Sequence, residues 1–276
     1  MYILLGFLLS LICSIAIIAI LFLAINIFYR SKWYKWAISD HFDGKHFYNI
    51  GWSAKESFRI ERTDDKKWGL IYWLLHREKA KWQKREITQV VPQSTNHDGI
   101  VITNIGHATL LIQVDGVNIL TDPVWSERAS PFSWVGPRRY SEPGVRIEDM
   151  PHIDIILLSH NHYDHMDTKS LRYFYERDTP VIYTGLGNEK YLEDRKIKNV
   201  IDMDWWEEKT RSVGSSEVKI TYLPAQHFSA RGLTDRNKTL WWGFRVEVGG
   251  RSLYFAWDTG YGGFVTKIRE KYPEWF

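Results

Sequence analysis

The sequence predicts an α/β domain that is preceded by one N-terminal transmembrane helix. Two observations lead to this fold class. The first is an apolar run over residues 2–28, which contains no charged side chain and is long enough to cross a bilayer as a helix. The second is a series of short apolar runs from residue 100 onward, typical of β-strands, several of which end at a histidine or an aspartate.

Composition and charge exclude several classes of protein. The 276 residues are 44% hydrophobic and 25% charged, as in ordinary globular domains and unlike disordered, collagen-like or disulfide-rich chains. The formal net charge of +3 gives no reason to expect a nucleic-acid partner. Cys13 is the only cysteine, which excludes an intramolecular disulfide and a multi-cysteine metal site. Any metal must therefore be held by histidine and carboxylate.

We expect residues 1–29 to form an uncleaved membrane anchor. The apolar run is too long for a signal peptide, no basic residue precedes it, and no A-x-A cleavage site follows it. Positive charge follows the run at Arg30, Lys32 and Lys35, so the positive-inside tendency places the C-terminal domain in the cytoplasm. Nearby aromatic residues suit the headgroup level of a membrane: Tyr29, Trp33, Tyr34 and Trp36.

Residues 30–99 are predicted to form an N-terminal extension with a basic amphipathic helix. Between Lys66 and Arg85, aromatic and aliphatic residues recur at helical spacing, and seven basic residues stand against Glu78 alone. Such a helix either lies on an anionic membrane surface or packs on its own domain with a solvated basic face. The sequence leaves both alternatives open.

The remaining residues, 100–276, begin with strands that lead to polar side chains. The predicted strands are Ile100–Ile105, Thr109–Val114, Val117–Leu120, Ile153–Leu158, Val218–Leu223 and Ser252–Ala256. The Asp115-Gly116 pair predicts a tight hairpin turn between the second and third of them. Asp122, His160, His227 and Asp258 each follow a predicted strand, which predicts a site at one edge of a sheet sandwich.

The motif H-x-H-x-D-H occupies residues 160–165, directly after the apolar run Ile153–Leu158. Three imidazoles and a carboxylate this close together are unfavourable unless a cation coordinates them. Histidine nitrogen and carboxylate oxygen are ligands for Zn²⁺, and two ions bridged by a carboxylate can hold a hydroxide between them. The alternative, a surface histidine cluster, is disfavoured by the buried strand that precedes the motif.

The histidines outside the motif and His227 are interpreted as exposed or structural, with one exception. They are His41, His46, His76, His97 and His152. The exception is His107, in Gly106-His107-Ala108, which is expected to orient a metal ligand without binding the metal itself.

These residues together resemble the metallo-β-lactamase superfamily, and within it the N-acyl-phosphatidylethanolamine-hydrolysing phospholipase D branch. The resemblance covers residues 40–270. Beyond the metal motif, it rests on the tracts His41-Phe42-Asp43-Gly44, Gly106-His107-Ala108-Thr109, Leu120-Thr121-Asp122-Pro123, Arg128-Ala129-Ser130-Pro131, Gly136-Pro137-Arg138-Arg139, Pro224–Gly232 and Leu240-Trp241-Trp242-Gly243-Phe244.

The resemblance implies an αββα sandwich with a dinuclear zinc site. Carried over by position, the ligands of the first zinc are His160, His162 and His227, those of the second are Asp164 and His165, and Asp258 bridges the two ions. The second zinc is expected to hold a phosphoryl oxygen, which makes Asp164 and His165 the expected catalytic residues. Asp122 matches the acidic residue that supports the metal-binding turn from below.

In one respect the sequence departs from the family pattern. The family places a further histidine ligand of the second zinc beyond the Asp258 tract, whereas no histidine follows His227 here. Lys267–Phe276 is predicted to be a helix that runs into a loop. We therefore expect a C-terminally incomplete sandwich whose second zinc site lacks one ligand.

The function expected from this resemblance is zinc-dependent hydrolysis of phosphodiester bonds in membrane phospholipids, by attack of a metal-bound hydroxide. Two alternatives stay open. One is a lactonase or another hydrolase of the same fold, because fold alone does not determine the substrate. The other is an inactive truncated fragment. The sequence leaves the acyl-chain preference, the physiological metal and the oligomeric state undetermined.

Overall fold

The computed structural model describes residues 2–31, 37–51 and 85–273. These residues form two β-sheets, with one N-terminal helix that projects from them. The elements in chain order are α1 (Tyr2–Tyr29), β1 (Ile100–Gly106), β2 (Thr109–Val114), β3 (Val117–Thr121), β4 (Ile155–Leu157), α2 (Thr168–Asp178), β5 (Val181–Gly185), α3 (Glu189–Glu193), β6 (Val200–Met203), β7 (Glu208–Val213), β8 (Ser216–Leu223), β9 (Gly243–Val248), β10 (Arg251–Phe255) and α4 (Phe264–Lys271).

The first sheet has six strands in the order β1-β2-β3-β4-β5-β6. The β1, β2 and β3 strands pair antiparallel, whereas β3, β4, β5 and β6 run parallel. Side chains of β4 alternate between two cores, because successive residues of a strand point to opposite faces. Ile155 and Leu157 pack toward the second sheet, and Ile156 packs toward the helices outside. A strand apolar on both faces is typical of a buried parallel sheet.

The second sheet has four antiparallel strands in the order β10-β9-β8-β7. Its buried residues share one core with the first sheet, in which Trp241 and Phe244 are fully enclosed. Helices cover both outer faces. Leu171 and Phe174 of α2 pack on the first sheet, and Phe264 and Ile268 of α4 pack around Leu223 of the second. The predicted αββα layering is confirmed.

The predicted strands are all present, with small shifts at their ends. Thr109–Val114 has the predicted bounds, and the Asp115-Gly116 turn after it has positive φ at both residues, 50° and 80°. Strands β5, β6, β7 and β9 were not predicted from the sequence. In β7 the reason is local: the segment Glu208–Val213 is mostly polar and has no buried residue, so no apolar periodicity marks it. Helix α4 begins at Phe264, three residues before the helix that was predicted.

Helix α1 is long and apolar enough to cross a membrane, by length and composition. Leu9–Tyr29 has 21 residues and a mean hydropathy of 2.9, and its aliphatic side chains are exposed. The predicted basic helix over residues 66–85 falls almost wholly outside the described residues, as do His76, Lys32, Lys35 and the aromatic residues Trp33, Tyr34 and Trp36.

The C-terminal end of α1 is fixed to the domain by hydrogen bonds. The amide of Leu233 donates to Oδ1 of Asn26 at 2.7 Å, and the amide of Ser31 donates to Oδ2 of Asp235 at 2.6 Å. The side-chain amide of Asn161, which lies inside the H-x-H-x-D-H motif, donates to Oγ of Ser31 at 3.0 Å. Asn26, Ser31 and Asn161 are buried. The helix end is therefore held against the same turn that carries the metal-ligand candidates.

Gly185, at the end of β5, leaves no room for a side chain. A Cβ at this position would collide with the carbonyl oxygen of Leu240 and the hydroxyl of Tyr222. Gly185→Ala is therefore expected to lower the unfolding free energy by about 1–3 kcal/mol, as overpacked cores do. Gly263→Ala is the matched control, because a Cβ there meets no atom within 4 Å. Thermal unfolding of both variants measures the difference, and equal midpoints would contradict this account of the packing.

Candidate metal centre

Strand direction explains why the predicted polar residues meet. Asp122 follows β3 and His160 follows β4, and these parallel strands end at the same edge of the first sheet. In the second sheet, β8 and β10 both pair antiparallel with β9, so they run in the same direction. His227 and Asp258, which follow them, therefore also come to one edge. The structure places these two edges side by side.

The first cluster consists of His160, His162 and His227. Nε2 of His160 lies 2.7 Å from Nδ1 of His162 and 3.2 Å from Nε2 of His227. Nε2 of His227 lies 3.3 Å from Nδ1 of His162. Three ring nitrogens from two sheets thus converge on one point.

The second cluster consists of His107, His165 and Asp258. Nε2 of His165 lies 3.3 Å from Nε2 of His107 and 3.2 Å from Oδ2 of Asp258. Asp164 stands at its margin, with Oδ2 3.4 Å from Nε2 of His107 and 4.0 Å from Nε2 of His165. His107 was predicted from the sequence to orient a ligand without binding the metal itself. In the structure, its Nε2 is closer to Nε2 of His165 than Oδ2 of Asp164 is, so His107 is itself a candidate ligand.

Asp258 lies between the two clusters. Its Oδ2 is 3.2 Å from Nε2 of His165 in one cluster and 3.9 Å from Nε2 of His227 in the other. A carboxylate in this position can contact ions in both clusters at once, which is the bridging place that the resemblance implied for it.

The buried carboxylate of Asp122 supports the turn from behind. It accepts hydrogen bonds from the amide of Ser159 at 2.7 Å, from Oγ of Ser159 at 2.6 Å and from Nδ1 of His165 at 2.8 Å. The single hydroxyl proton of Ser159 is used on Asp122, so Nδ1 of His160, 2.8 Å from that hydroxyl oxygen, must donate. In both His160 and His165, the hydrogen bond at Nδ1 fixes the orientation of the ring, so that Nε2 points into the cluster.

Electrostatics distinguish the two clusters. In the first, burial and then the neighbouring histidines hold the pKa of His160 well below its usual value. Burial likewise lowers the pKa of His162 to about 3 and that of His227 to about 4. In the second, burial alone would lower the pKa of His165, but hydrogen bonds to Asp122 and Asp258 outweigh it and raise the pKa to about 10.

This donor set fits metal ions. Neutral imidazoles with converging lone pairs repel one another, and a cation at their centre removes that repulsion. Nitrogens at 2.0–2.1 Å from a tetrahedral Zn²⁺ lie about 3.3 Å apart. The 3.2 Å and 3.3 Å separations around His227 agree with this spacing, whereas the 2.7 Å between His160 and His162 is shorter, so these two rings would move apart around an ion. In the second cluster, the carboxylates of Asp122 and Asp258 favour positive charge at His165, and a second cation between Nε2 and Asp258 would supply that charge.

Sequence reasoning missed two residues that position the ligands. One is Ser159, described above. The other is Asn49, from the N-terminal extension, which is bonded to the backbone of His227 on both sides. Its Oδ1 accepts from the amide at 3.0 Å, and its Nδ2 donates to the carbonyl at 3.1 Å. An isolated asparagine about 180 residues away carries no local signal of this role.

Three residues around the site have an unfavourable backbone conformation. His107, Asp122 and Trp257 all have positive φ, at 45°, 34° and 22°. Such conformations are unfavourable for residues with a Cβ and cluster at functional sites. For His107 a sequence signal existed, because the preceding Gly106 supports an irregular turn between β1 and β2.

The other histidines that the structure describes lie apart from both clusters. His152 and His97 are exposed. His41 is structural: it is buried and lies 2.7 Å from Oδ1 of Asp204 through Nε2. His46 is partly buried.

A cavity of about 490 Å³ opens beside the second cluster. His107 and Asp164 line it on the metal side, and Arg138 and Arg139 line it as well. Arg138 is bonded to Glu127 at 2.7 Å, and Arg139 donates to the carbonyl oxygen of Val124 at 2.6 Å. The cavity therefore combines candidate metal ligands with two arginines and with the carboxylates of Glu127, which pairs with Arg138, and Glu142.

Comparisons with known proteins identify the family to which the chain is similar. The family profile described as "Beta-lactamase superfamily domain" matches residues 117–274, which contain the motif, His227 and Asp258. A protein of Caenorhabditis elegans named N-acyl-phosphatidylethanolamine-hydrolyzing phospholipase D 1 is 36% identical over 172 residues, covering 60% of this chain and 48% of the relative.

Two further relatives show the same extent of similarity. The mitochondrial N-acyl-phosphatidylethanolamine-hydrolyzing phospholipase D of Saccharomyces cerevisiae is 34% identical, covering 62% of this chain and 36% of the relative. An uncharacterised protein of Mycobacterium tuberculosis is 33% identical, covering 72% of this chain and 54% of the relative. The chain thus spans about half the length, or less, of the curated relatives it matches.

Asp122→Asn is expected to weaken metal binding by about 10–100-fold, because partners that orient ligands contribute this much to affinity. An amide has one oxygen in place of two, so it cannot accept all three hydrogen bonds that Ser159 and His165 donate to the carboxylate. Asp154→Asn is the matched control, since Asp154 accepts the amide of Asn118 at 2.8 Å, at the start of β4 and far from the site. Titration of the metal-free protein with zinc measures both affinities. Equal affinities would contradict a role for Asp122 in orienting the ligands.

His107→Ala is expected to reduce the number of bound ions per chain, because the second cluster loses one of its three closest donors. His152→Ala, at an exposed histidine on the opposite edge of the sheet, should leave the number unchanged. Elemental analysis after dialysis gives the metal content of each variant. An unchanged content in His107→Ala, accompanied by a loss in Asp164→Ala, would assign the place to Asp164 instead.

Proposed function

The chain belongs to the metallo-β-lactamase superfamily, and we propose that it is a metal-dependent hydrolase of phosphodiester bonds in membrane phospholipids. The observation that carries the proposal is the pair of adjoining clusters that share Asp258, next to a cavity lined by two arginines. The similarity to two proteins named as N-acyl-phosphatidylethanolamine-hydrolysing phospholipases D supports a phospholipid substrate.

The proposed ions are two zinc ions. His160, His162 and His227 would hold the first, and His165 with His107 or Asp164 would hold the second. When bound, the ions would supply hydroxide at neutral pH and positive charge for the phosphoryl group. Asp258 would hold the two binding places at a fixed separation.

The chain's own residues complete the proposed site. Asp122 and Ser159 keep Nε2 of His160 and His165 directed into the clusters, so that no rotation of a ring is needed when substrate arrives. Arg139, which donates to a backbone carbonyl and, within the described part of the chain, to no carboxylate, would attract the phosphate group into the cavity beside Asp164. No protein side chain is required to form a covalent intermediate.

The proposed location is a membrane, with α1 as a single-pass anchor and the domain on the cytoplasmic side. The support is the apolar length of Leu9–Tyr29 and the positive charge at Arg30 that follows it. Because Asn26 and Ser31 fix the helix end to the domain, such an anchor would keep the site close to its lipid substrate. We propose no nucleic-acid partner.

Removal of metal tests the proposed chemistry. The full chain in detergent micelles or nanodiscs is expected to release phosphatidic acid from N-acyl-phosphatidylethanolamine, to lose this activity on dialysis against a chelator and to regain it with zinc. His160→Ala should reduce the rate at least about 100-fold, because the first ion loses a buried ligand. The control His152→Ala should retain the full rate.

A substrate panel separates the proposal from the alternatives. If the protein hydrolyses lactones and releases no phosphatidic acid, it is a hydrolase of the same fold with a different substrate. Phospholipid hydrolysis that survives complete metal removal would refute the mechanism.

A further inference from the structure

A second cavity, of about 600 Å³, lies where helix α1 meets the domain. Phe28 and Tyr29 from the helix end form one wall, and Phe132 belongs to the loop beside them. Tyr29 contacts this loop twice: its hydroxyl donates to the carbonyl oxygen of Pro131 at 3.4 Å, and its ring lies 6.0 Å from that of Phe132. The volume is in the usual range for small-molecule sites. None of the metal-ligand candidates of the two clusters lines this cavity.

The other walls of this junction cavity are basic. Five basic residues line it: Arg128, Lys169, Arg172, Arg195 and Arg231. Two acidic residues, Glu127 and Asp167, line it as well. Glu127 is paired with Arg138, whereas Asp167 accepts from neutral donors, the amide of Ser126 and the hydroxyl of Ser170, and so keeps its negative charge. Five basic residues therefore stand against one uncompensated carboxylate.

The arginines of the cavity bond to neutral oxygens. Nη1 of Arg128 donates to the carbonyl of Gly136 at 2.7 Å, and Nη2 of Arg172 donates to the carbonyl of Arg195 at 3.0 Å. Nη2 of Arg195 donates to the carbonyl of Phe28 at 2.9 Å. In the described part of the chain, their charge is thus not cancelled by hydrogen-bonded carboxylates, and the cavity favours an anion.

Phosphate is an anion that suits these walls, because arginine matches its geometry with paired donors. Two cavity-lining residues, Arg128 and Tyr163, also have a polar atom with no hydrogen-bond partner among the described residues, Nε and the hydroxyl respectively. Both atoms are closed off from solvent and do not themselves face the cavity.

The position of the cavity selects the source of the phosphate. Phe28 and Tyr29 are the last residues of an apolar helix, so in a membrane they lie at the headgroup level. Trp134 is 76% exposed, and its ring packs 5.6 Å from that of Phe132. Exposed aromatic residues beside the end of a membrane helix are typical of a surface that contacts the lipid interface.

We propose that the junction cavity binds the phosphate headgroup of an anionic phospholipid whose acyl chains lie along α1. The inference rests on the proposed membrane location of α1 and goes beyond the proposed hydrolysis, because the lipid bound here need not be the substrate. Free phosphate has the same chemistry at its charged end, but it makes no use of the apolar wall formed by Phe28, Tyr29 and Phe132.

Charge reversal at the rim tests this site. Lys169 and Arg172 are exposed on α2, so Lys169→Glu with Arg172→Glu should leave the fold intact. The full chain, delipidated in detergent, is titrated with phosphatidylglycerol, and retained lipid is counted by native mass spectrometry. The affinity is expected to fall about 25-fold or more, because each basic residue near an anionic lipid surface contributes roughly fivefold. Arg128→Gln, which removes a positive charge from the cavity wall, should also weaken binding.

The control has the same change of charge on another helix. Lys267→Glu with Arg269→Glu reverses a lysine and an arginine on the exposed face of α4, and this variant should bind phosphatidylglycerol as the wild type does. Phosphatidylcholine and inorganic phosphate should bind to the wild type and to this control variant more weakly than phosphatidylglycerol does. Equal affinity of the two charge-reversal variants would overturn the proposal, and so would inorganic phosphate that binds as tightly as phosphatidylglycerol. Because the readout is binding, a failure of hydrolysis leaves this test unaffected.

Discussion

The geometry of the centre depends on one buried carboxylate. Asp122 is fully enclosed, so its charge is tolerable only because three donors replace the water it has lost. Those donors come from Ser159 and His165, at the two ends of the turn that bears the metal motif. Desolvation of Asp122 therefore works as a constraint: the carboxylate is satisfied only when the turn closes around it, and closure directs the ring nitrogens outward.

The sequence predicted those parts whose signal is local. The strand Thr109–Val114 and the Asp115-Gly116 turn follow from apolar alternation and turn chemistry. The strand β9 carries Arg245 in a buried position, which hides its pattern, although it is the strand that gives β8 and β10 a common direction. The meeting of His227 with His160 depends on that topology, so spacing alone could not establish it.

The centre's remaining features depend on contacts between distant segments. His107 faces the second cluster because a strained turn with φ of 45° redirects its ring, and one glycine in the sequence is a weak signal of such a turn. Asn49 contacts His227 although 178 residues separate the two in the sequence. Neither the residue type nor its neighbours distinguish Asn49 from an ordinary polar residue in a loop.

The hydrogen bonds at Asn26 and Ser31 tie the end of α1 to the domain. Ser31 also contacts Asn161, whose neighbours in the chain are His160 and His162, so hydrogen bonds link the helix end to the ligand-bearing turn. A helix that spans a bilayer tilts to match the hydrocarbon thickness around it. If α1 is the proposed anchor, a thicker or thinner membrane would tilt the domain together with its helix and change the angle at which the mouth of the site meets the lipid surface.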